Sequence, residues 1–296
     1  MPKNSQDDIY PQANLVTPSM KVPGQPVTVR EAGLAYGYVM SFLGNQVQTP
    51  TLATVSRETQ PSLDRSSLEQ LAADLNARWQ GASAAEILRD AITEIFPGKL
   101  AVVSSFGADA AVLLHLVAGV DPQVPILFLE TGKHFVETLM YRDILVGRFG
   151  FTNAQALEPD AADLRDLDPA SDLWSTNPDI CCRIRKVEPL QRALSGVDAW
   201  ITGRKRYQSS TRAGLPFAEV VDGRIKINPL ASWSESHIRE AFRDFKLPQH
   251  PLFDEGYRSI GCAPCTRRVG AEEDSRAGRW SGSEKTECGI HLGMNI

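Results

Sequence analysis

The sequence predicts an α/β fold, with a mostly parallel sheet and helices on both faces. Short apolar runs rich in Val, Ile and Leu alternate with helical patterns, and such runs are typical of parallel strands buried on both faces. Small and polar residues follow these runs directly, at the strand ends where open α/β sheets bind their ligands. The 296 residues, 42% hydrophobic and 23% charged, provide enough core for one large or two small domains.

Residues 1–60 precede this pattern. They are rich in Pro, Gln, Thr, Ser and Val, and apart from a short apolar patch at Leu34 to Leu43 they show no sustained helical or strand period. We expect an N-terminal extension that is partly disordered and carries no chemical motif.

Two helices are expected next, each beginning at a capping box, in which Ser and a Glu three residues later cap the first turn. Ser66-Ser-Leu-Glu69 precedes apolar residues at helical spacing up to Trp79, and Ser83-Ala-Ala-Glu86 opens a helix that continues to Ile95. We interpret both helices as structural.

The first predicted strand, Leu100 to Val103, leads into Ser104-Ser-Phe-Gly-Ala-Asp109 and then into an apolar helix from Ala110 to Val117. A strand, a small-residue turn and a helix form a common anion site, because free N–H groups of the first helical turn face outward. Such a loop alone is more often a plain connection, so its function depends on the later motifs. The candidate binding residues here are Ser104, Ser105 and Gly107.

The second predicted strand, Val124 to Leu129, ends in Glu130-Thr-Gly-Lys-His134, which is again small and polar. Because ligands bind at the carboxyl ends of parallel strands, Thr131 and Gly132 are also candidate binding residues.

Further elements complete the predicted sheet. They are a helix from about Phe135 to Phe149, a short strand near Asn153 to Leu157, a strand at Ala199 to Gly203, a hairpin of Phe217 to Val221 and Arg224 to Ile227, and a helix from about Glu235 to Phe245. Asp222-Gly223 favours a tight turn in the hairpin. The stretch from Arg204 to Arg212 carries four cations in nine residues, and such a run is either a solvated surface or an anion site.

The five cysteines carry the clearest chemical signal. Cys181 and Cys182 are adjacent, Cys262 and Cys265 have CxxC spacing, and Cys288 stands alone near the end. Four soft thiolates suit an iron–sulfur cluster or zinc, and the adjacent pair fits poorly round one tetrahedral ion. We interpret the first four as one cluster site, with structural zinc as the alternative. We interpret Cys288 as a nucleophile, with an incidental exposed thiol as the alternative.

Local sequence favours thiolates at the adjacent cysteines. Asn177-Pro178 supplies an N-cap and a first-turn proline, so both cysteines are predicted to lie in the first turns of a helix. The helix dipole there stabilises negative charge. Three neighbouring cations would add to this effect: Arg183, Arg185 and Lys186.

The stretch from Thr266 to Ile296 is rich in Gly, Ser, Glu and Arg and has little apolar content. We expect a mobile tail that delivers Cys288 to its target. Lys285 and His291 stand three residues to either side of Cys288 and could each support its thiolate.

The bulk properties exclude some classes. A formal net charge of -5 argues against a nucleic-acid binder, which usually carries a basic excess. The sequence has no apolar run of about eighteen residues, and its N-terminus lacks the basic and then apolar order of a signal peptide. We therefore expect no nucleic-acid or membrane partner and a cytoplasmic location, where cysteines are more often metal-bound or catalytic than disulfide-bonded.

Taken together, the motifs resemble those of the assimilatory sulfonucleotide reductases, and most closely the iron–sulfur, thioredoxin-dependent adenylyl-sulfate (APS) reductases. The resemblance covers roughly residues 65–296. The motifs that carry it are Ser-Ser-Phe-Gly-Ala-Asp, Glu-Thr-Gly-Lys-His, Cys-Cys-Arg-Ile-Arg-Lys-Val-Glu-Pro-Leu, Thr-Gly-Arg-Lys-Arg-Tyr-Gln-Ser-Ser-Thr-Arg, Gly-Cys-Ala-Pro-Cys-Thr-Arg and Glu-Cys-Gly-Ile-His. One departure is Glu130-Thr-Gly132, where the family commonly has Asp-Thr-Gly.

The resemblance implies an adenine-nucleotide α-hydrolase-like (Rossmann-like) fold. Residues 61–265 would form the nucleotide-binding reductase domain with the iron–sulfur site, and residues 266–296 a mobile catalytic tail. It further implies that adenylyl sulfate becomes sulfite and AMP in assimilatory sulfate reduction. The tail Cys288 would attack the sulfate sulfur to form an enzyme S-sulfocysteine, and thioredoxin or a glutaredoxin-type reductant would release sulfite.

By match of motif, the resemblance also assigns residues to roles. A [4Fe-4S] cluster would be bound by Cys181, Cys182, Cys262 and Cys265. Lys186 would lie between cluster and substrate. The phosphosulfate would be held by Arg204, Arg276 and Arg279. A homo-oligomer is compatible with the sequence.

Three alternatives stay open. The first is the same chemistry on the 3′-phosphorylated nucleotide (PAPS), since Ser-Ser-Phe-Gly also resembles loops of enzymes that prefer that substrate. The second is an ATP-pyrophosphatase-type adenylating enzyme of the same fold, which does not explain Cys288. The third is a non-catalytic zinc or cluster module that binds a partner.

Overall fold

A computed structural model describes residues 64–270, 272–280, 285 and 287–291. The predicted extension at residues 1–60 lies outside the described residues. The strands are β1 Leu100–Ser104, β2 Ile126–Leu129, β3 Ala154–Leu157, β4 Ala199–Ile201, β5 Ala218–Val221 and β6 Arg224–Ile227. The α-helices are α1 Arg65–Arg78, α2 Ala84–Arg89, α3 Ala110–Ala118, α4 Val136–Phe149, α5 Ala161–Leu167, α6 Leu173–Thr176, α7 Pro178–Cys182, α8 Glu188–Leu194 and α9 Glu235–Asp244.

The six strands form one sheet in the order β3-β2-β1-β4-β6-β5. Every neighbouring pair is parallel except β5 and β6, which form the predicted hairpin. Asp222 and Gly223 join that hairpin with φ angles of 49° and 71°, the left-handed backbone that a tight two-residue turn requires. The predicted α/β fold with a mostly parallel sheet is confirmed. Because β1, β2 and β4 run the same way, the loops after them meet at one edge.

Side chains of the central strands alternate between two apolar layers, because successive residues of a strand point to opposite faces. On β1, Leu100 and Val102 join the larger core with α1 to α4, while Ala101 and Val103 join a second core with Leu190 of α8. The sheet is therefore covered on both faces, as the apolar runs predicted. Within the described residues, no helix is both long and apolar enough to cross a membrane.

One of the two predicted helix caps is present in the structure. Ser83 and Glu86 form the predicted capping box at α2. The prediction for α1 is wrong by two residues, because the cap is Asp64, whose carboxylate accepts a hydrogen bond from Ser67 N at 2.7 Å. An ionised carboxylate interacts more strongly with the positive helix start than a hydroxyl does, which leaves Ser66 inside the first turn.

Candidate active site

A cleft opens at the carboxyl edge of the sheet, between the loops that follow β1 and β4. It is lined from the β1 loop by Ser104, Ser105 and Gly107, and from other segments by Lys186, Arg204, Arg276, Arg279 and Cys288. The structure thus brings together residues from five separate stretches of the sequence. This is the edge at which parallel α/β sheets bind ligands.

The loop after β1 lines the cleft and is held by close local contacts. Ser104 Oγ accepts a hydrogen bond from Phe106 N at 3.2 Å, and Phe106 adopts a left-handed φ of 47°. A Cβ on Gly107 would lie 3.2 Å from the carbonyl oxygen of Ile260, so a small residue keeps this contact relaxed. Asp109 precedes α3 without capping it and instead accepts a hydrogen bond from Lys205 Nζ at 2.8 Å.

The opposite wall of the cleft is cationic. Arg204 pairs with Glu219, and Arg279 lies over the Trp280 ring with its guanidinium carbon 4.5 Å from the ring centre. Burial lowers the pKa of Arg276 to about 10, and the nearby charge of Arg212 acts in the same direction. An anion in the cleft would offset this crowding of positive charge.

Unpartnered donors point to the same kind of ligand. Among the described residues, three buried N–H groups of this wall lack a hydrogen-bond partner: Arg204 Nε, Arg279 Nε and Trp280 Nε1. Buried donors without acceptors are costly, so a bound molecule that supplies acceptor oxygens would satisfy them. Phosphate and sulfate groups supply such oxygens with negative charge.

Four cysteines line a second, smaller cavity beside the cleft: Cys181, Cys182, Cys262 and Cys265. The first two lie at the end of α7, which begins as predicted with Pro178 in its first turn and the Asn177 side chain accepting from Ile180 N at 3.1 Å. Of the other two, Cys262 directly precedes a 3-10 turn at Ala263–Cys265 and Cys265 is its last residue. Burial is the leading cause that raises the pKa of Cys181 and of Cys265.

The chain after β2 holds Cys262 in place. His134 and Cys262 form an antiparallel bridge, and Ala263 N donates to Lys133 O at 2.7 Å. The Thr131 hydroxyl lies 3.3 Å from Cys262 Sγ. Thr131 and its neighbour Gly132 therefore lie on the cysteine side, and neither lines the nucleotide-sized cleft.

An ion pair that the sequence did not indicate supports this region. Arg185 Nη2 donates to Asp168 at 2.6 Å, and Arg185 Nη1 donates to the Thr131 carbonyl at 2.8 Å. The pair is buried, with 7% of the Arg185 side chain and 0% of the Asp168 side chain exposed. It connects the segment after α7 to the loop that contacts Cys262.

Lys186 lines both the cleft and the cysteine cavity. Burial alone would lower the pKa of Lys186, but the sulfur groups of Cys262, Cys288 and Cys182 outweigh burial and raise it. Lys186 is therefore a fixed positive charge between the two cavities.

Cys288 reaches this position from the C-terminal segment. Its side chain is hydrogen-bonded to that of Cys182, which is the leading cause that lowers the pKa of Cys288, and Lys186 and Arg279 lower it further. A metal-bound Cys182 would have no S–H to donate, so the two cations would then carry the stabilisation of the thiolate. Cys288 thus lies in the cleft as a group ready to ionise.

The two residues predicted to support the thiolate act differently. Lys285 pairs with Asp179 of α7. Burial and the neighbouring cation Lys226 lower the pKa of His291 well below its ordinary value, so this imidazole is neutral and adds no positive charge. Lys186 and Arg279 are cations whose charges lower the pKa of the Cys288 thiol.

Glu287, next to Cys288, binds the guanidinium of Arg212. Arg212 Nε and Nη2 donate to its two carboxylate oxygens at 2.6 and 2.7 Å. Sequence reasoning included Arg212 in the cationic run but gave it no partner, because the pair is 75 residues apart in the chain. The only local signal was a carboxylate immediately before the predicted nucleophile.

The sequence of the chain is similar to those of known proteins. Residues 99–268 match the family model described as phosphoadenosine phosphosulfate reductase domain. A relative named adenosine 5′-phosphosulfate reductase, from Mesorhizobium japonicum, is 52% identical over 221 residues, which are 75% of this chain and 87% of that protein. One named phosphoadenosine 5′-phosphosulfate reductase, from Gloeobacter violaceus, is 39% identical over 241 residues, which are 79% of this chain and 98% of that protein.

A solved structure agrees with the expected adenine-nucleotide α-hydrolase-like fold. The phosphoadenylyl-sulfate (PAPS) reductase of Candida auris, a phosphate complex, superposes with a TM-score of 0.59 and 29% identity, covering 71% of this chain and all of that one. The matched family region spans the β1 loop, the adjacent cysteines, the cationic run and the CxxC pair. The chain belongs to the sulfonucleotide (phosphoadenosine phosphosulfate) reductase family.

Proposed function

We propose that this protein reduces adenylyl sulfate, also called adenosine 5′-phosphosulfate, to sulfite and AMP in sulfate assimilation. The observation that carries the proposal is the position of Cys288, a thiol in a cationic cleft that Lys186 and Arg279 also line. The relative with 52% identity, which is named for this substrate, supports the choice of nucleotide. Five free cysteines among the described residues favour a reducing compartment, so we place the enzyme in the cytoplasm.

The cleft suits the binding of an anionic nucleotide. The β1 loop, with Ser104, Ser105 and Gly107, would bind one end of the substrate, and Arg204, Arg276 and Arg279 would bind the phosphosulfate. The unpartnered N–H donors of Arg204 and Arg279 would find acceptors there. Neutralising the sulfate is necessary because a thiolate would otherwise approach a group of the same charge.

In the first chemical step, the Cys288 thiolate attacks the sulfate sulfur in line with the bridging oxygen. A sulfur–sulfur bond forms, the sulfur–oxygen bond breaks, and its electron pair leaves on the oxygen that becomes part of AMP phosphate. The enzyme then carries S-sulfocysteine at Cys288. Lys186 and the arginines stabilise the negative charge that develops on the leaving oxygen and the transferred group.

In the second step, a dithiol reductant of the thioredoxin or glutaredoxin type regenerates the enzyme. One reductant thiolate attacks Cys288 Sγ, and sulfite leaves with the sulfur–sulfur electron pair. The second reductant thiol then resolves the mixed disulfide, which returns Cys288 as a thiolate and leaves the reductant oxidised by two electrons. Such access requires Cys288 to leave the cleft, which agrees with the predicted mobile tail.

The cysteine cavity fits an iron–sulfur cluster, which we propose to be [4Fe-4S]. Four thiols line one cavity, three of them buried and that of Cys265 half-buried, and Arg185 and Lys186 on its wall can balance the charge of thiolates. The adjacent Cys181 and Cys182 fit poorly round one tetrahedral zinc ion, whereas a cluster has several iron atoms that can take neighbouring ligands. A bound cluster would supply charge and positioning beside the substrate, whereas the reducing equivalents come from the dithiol.

The same reduction of the 3′-phosphorylated nucleotide is the second candidate. The solved relative with 29% identity is named for that substrate. Sulfite release from each nucleotide, measured with thioredoxin, distinguishes the two, and we expect faster release from adenylyl sulfate. A strong preference for the 3′-phosphate would reverse the assignment, and pyrophosphate release from ATP would indicate an adenylating enzyme.

The covalent intermediate provides the decisive test. Enzyme mixed with adenylyl sulfate in the absence of reductant should carry added SO₃ on the peptide that contains Cys288. Cys288→Ser should release no sulfite. An adduct on another cysteine, or full activity of that variant, would exclude the proposed nucleophile.

A further inference from the structure

We propose that Glu287 is a positioning residue, which seats Cys288 in the cleft by binding Arg212. The proposal concerns how the nucleophile is held, and it rests on the proposed function for its catalytic consequence. Glu287 is joined to Cys288 by one peptide bond, so fixing its carboxylate restricts where the Cys288 thiol can lie. Nothing in the reaction itself requires a carboxylate beside the thiol.

Arg212 binds both oxygens of this carboxylate. Its Nε and Nη2 donate to the two oxygens of Glu287 at 2.6 and 2.7 Å, while Nη1 donates to Gln208 Oε1 at 2.6 Å. All three nitrogens of the guanidinium are therefore engaged. The pair is shielded from water, with 7% of the Arg212 side chain and 10% of the Glu287 side chain exposed. A shielded bidentate pair is stronger and more directional than a surface ion pair.

Further contacts limit the freedom of the segment around Cys288. Arg276 Nη2 lies 3.3 Å from Glu287 Oε2, and Lys226 Nζ lies 3.5 Å from the His291 carbonyl oxygen. Between these anchors, His291 N donates to the Cys288 carbonyl at 3.2 Å within a short 3-10 turn. The segment is thus held one residue before the nucleophile and three residues after it.

A competing explanation is that Glu287 occupies a substrate anion site and must be displaced. The engagement of Arg212 by Gln208 and Glu287 argues that the pair stays intact when substrate binds, because the substrate would have to break the bidentate pair to use that arginine. The two explanations predict opposite kinetics. Loss of a seat slows attack by Cys288, whereas loss of a competitor tightens nucleotide binding and leaves the rate of attack unchanged.

The first test measures, without substrate, how well the pair of Arg212 and Glu287 holds Cys288 in the cleft. Anaerobic full-length enzyme with its metal is treated with iodoacetamide at about pH 8.5, where a released thiol of ordinary pKa is substantially ionised. Alkylation of the Cys288 peptide is followed by mass spectrometry. We expect Glu287→Gln and Arg212→Gln to be alkylated roughly ten times faster than the wild type, because each removes the charge-assisted bidentate pair.

Glu255→Gln is the matched control. Glu255 forms an ion pair with Arg268 at 2.5 Å, but 49% of its side chain and 62% of that of Arg268 are exposed, and the pair lies outside the seat. This variant should be alkylated at the wild-type rate. Retention of iron and of the wild-type circular dichroism spectrum shows whether each variant is folded.

The second test measures the chemical step. Single-turnover formation of the SO₃ adduct on Cys288 should be slowed roughly ten- to a hundredfold in Glu287→Gln, with the nucleotide concentration for half-maximal rate nearly unchanged. Arg212→Lys keeps the charge but cannot form the bidentate pair, so its rate of adduct formation should lie between those of the wild type and of Arg212→Gln. Tighter nucleotide binding with an unchanged rate in Glu287→Gln would overturn the seat in favour of the competitor.

The two tests separate this proposal from the proposed function. If the wild type forms sulfite but neither folded variant at Glu287 or Arg212 changes the alkylation of Cys288, the seat is wrong and the function stands. If the variants speed alkylation but the wild type forms no adduct from either nucleotide, the seat is correct and the function is wrong.

Discussion

Asp168 and Arg185 form a buried ion pair behind the cysteine cavity, with 2.6 Å between Asp168 Oδ2 and Arg185 Nη2. Because Arg185 also donates to the Thr131 carbonyl, the pair links three segments that are distant in sequence. Burying both charges is costly, yet removing one partner is costlier, since the other is left uncompensated.

Asp168→Ala should therefore lower the free energy of unfolding by about 3–5 kcal/mol, the usual effect of removing one partner of a buried pair. The variant should also retain less iron, because Arg185 and Thr131 are then free to move near the cysteines. Denaturant unfolding followed by circular dichroism measures the first effect, and iron analysis the second. Asp166→Ala is the control, since Asp166 pairs with Arg165 on the surface with 62% and 70% of their side chains exposed. A loss as small as that control, about 0.5 kcal/mol or less, would contradict the role assigned to Asp168.

Local patterns predicted much of the fold. The Ser83 capping box, the Asp222-Gly223 turn and the strand at Leu100 to Val103 are each determined within a few residues, and the structure has all three, with the strand continuing to Ser104. The cap of α1 was predicted wrongly because two residues near the helix start, Asp64 and Ser66, can each act as an N-cap. In the structure the charged Asp64 accepts the capping hydrogen bond.

Pairings between distant residues could not be predicted in the same way. Arg185 and Asp168 are 17 residues apart, and Arg212 and Glu287 are 75 apart, so nothing in the local sequence couples them. The position of Thr131 after β2 predicted that it lies at the carboxyl edge of the sheet. Whether it faces the cleft or the cysteine cavity depends on the bridge between His134 and Cys262, a contact between residues far apart in the sequence.

Substitution of individual cysteines should separate the cluster from the nucleophile. We expect Cys265→Ser to lose the brown colour and most of the iron, because one of the four proposed cluster ligands is removed. Cys288→Ser should keep the colour and lose sulfite formation. Visible absorption of anaerobic protein, with iron and acid-labile sulfide in equal amounts, checks the assignment. A colourless wild type that contains stoichiometric zinc would show that the four cysteines bind zinc.

Gly261→Ala should weaken nucleotide binding without unfolding the protein. The guanidinium of Arg279 lies against Gly261, so a Cβ there must displace it. Because this group is the flexible end of a side chain, the cost to the fold is small, but the proposed charge-assisted contact of Arg279 to the phosphosulfate would be lost. The KM for the nucleotide should rise by roughly tenfold or more. 

The control for this substitution is Gly147→Ala in α4, where no atom lies within 4 Å of the added Cβ. Alanine there should stabilise the helix by about 0.5–1 kcal/mol and leave KM unchanged. An unchanged KM in Gly261→Ala would mean that Arg279 does not bind the nucleotide from its present position.

The stability of the protein should fall as the pH drops from about 6.5 to about 4, in part because of His250. Burial lowers the pKa of His250 from 6.5 to about 4. In the folded protein its ring packs against Tyr141, and Thr138 Oγ1 lies 3.0 Å from Nε2. The unfolded chain therefore binds a proton in this window that the folded chain does not, so the contribution is fully present above pH 6.5 and is lost towards pH 4.

Replacement by His250→Gln removes the titrating group, and unfolding free energies measured across this range should depend less on pH. Thr138→Val removes only the hydroxyl and should lower stability while keeping the pH dependence, since burial is the cause of the shift. If His250→Gln keeps the full pH dependence of the wild type, the acid sensitivity arises from other groups.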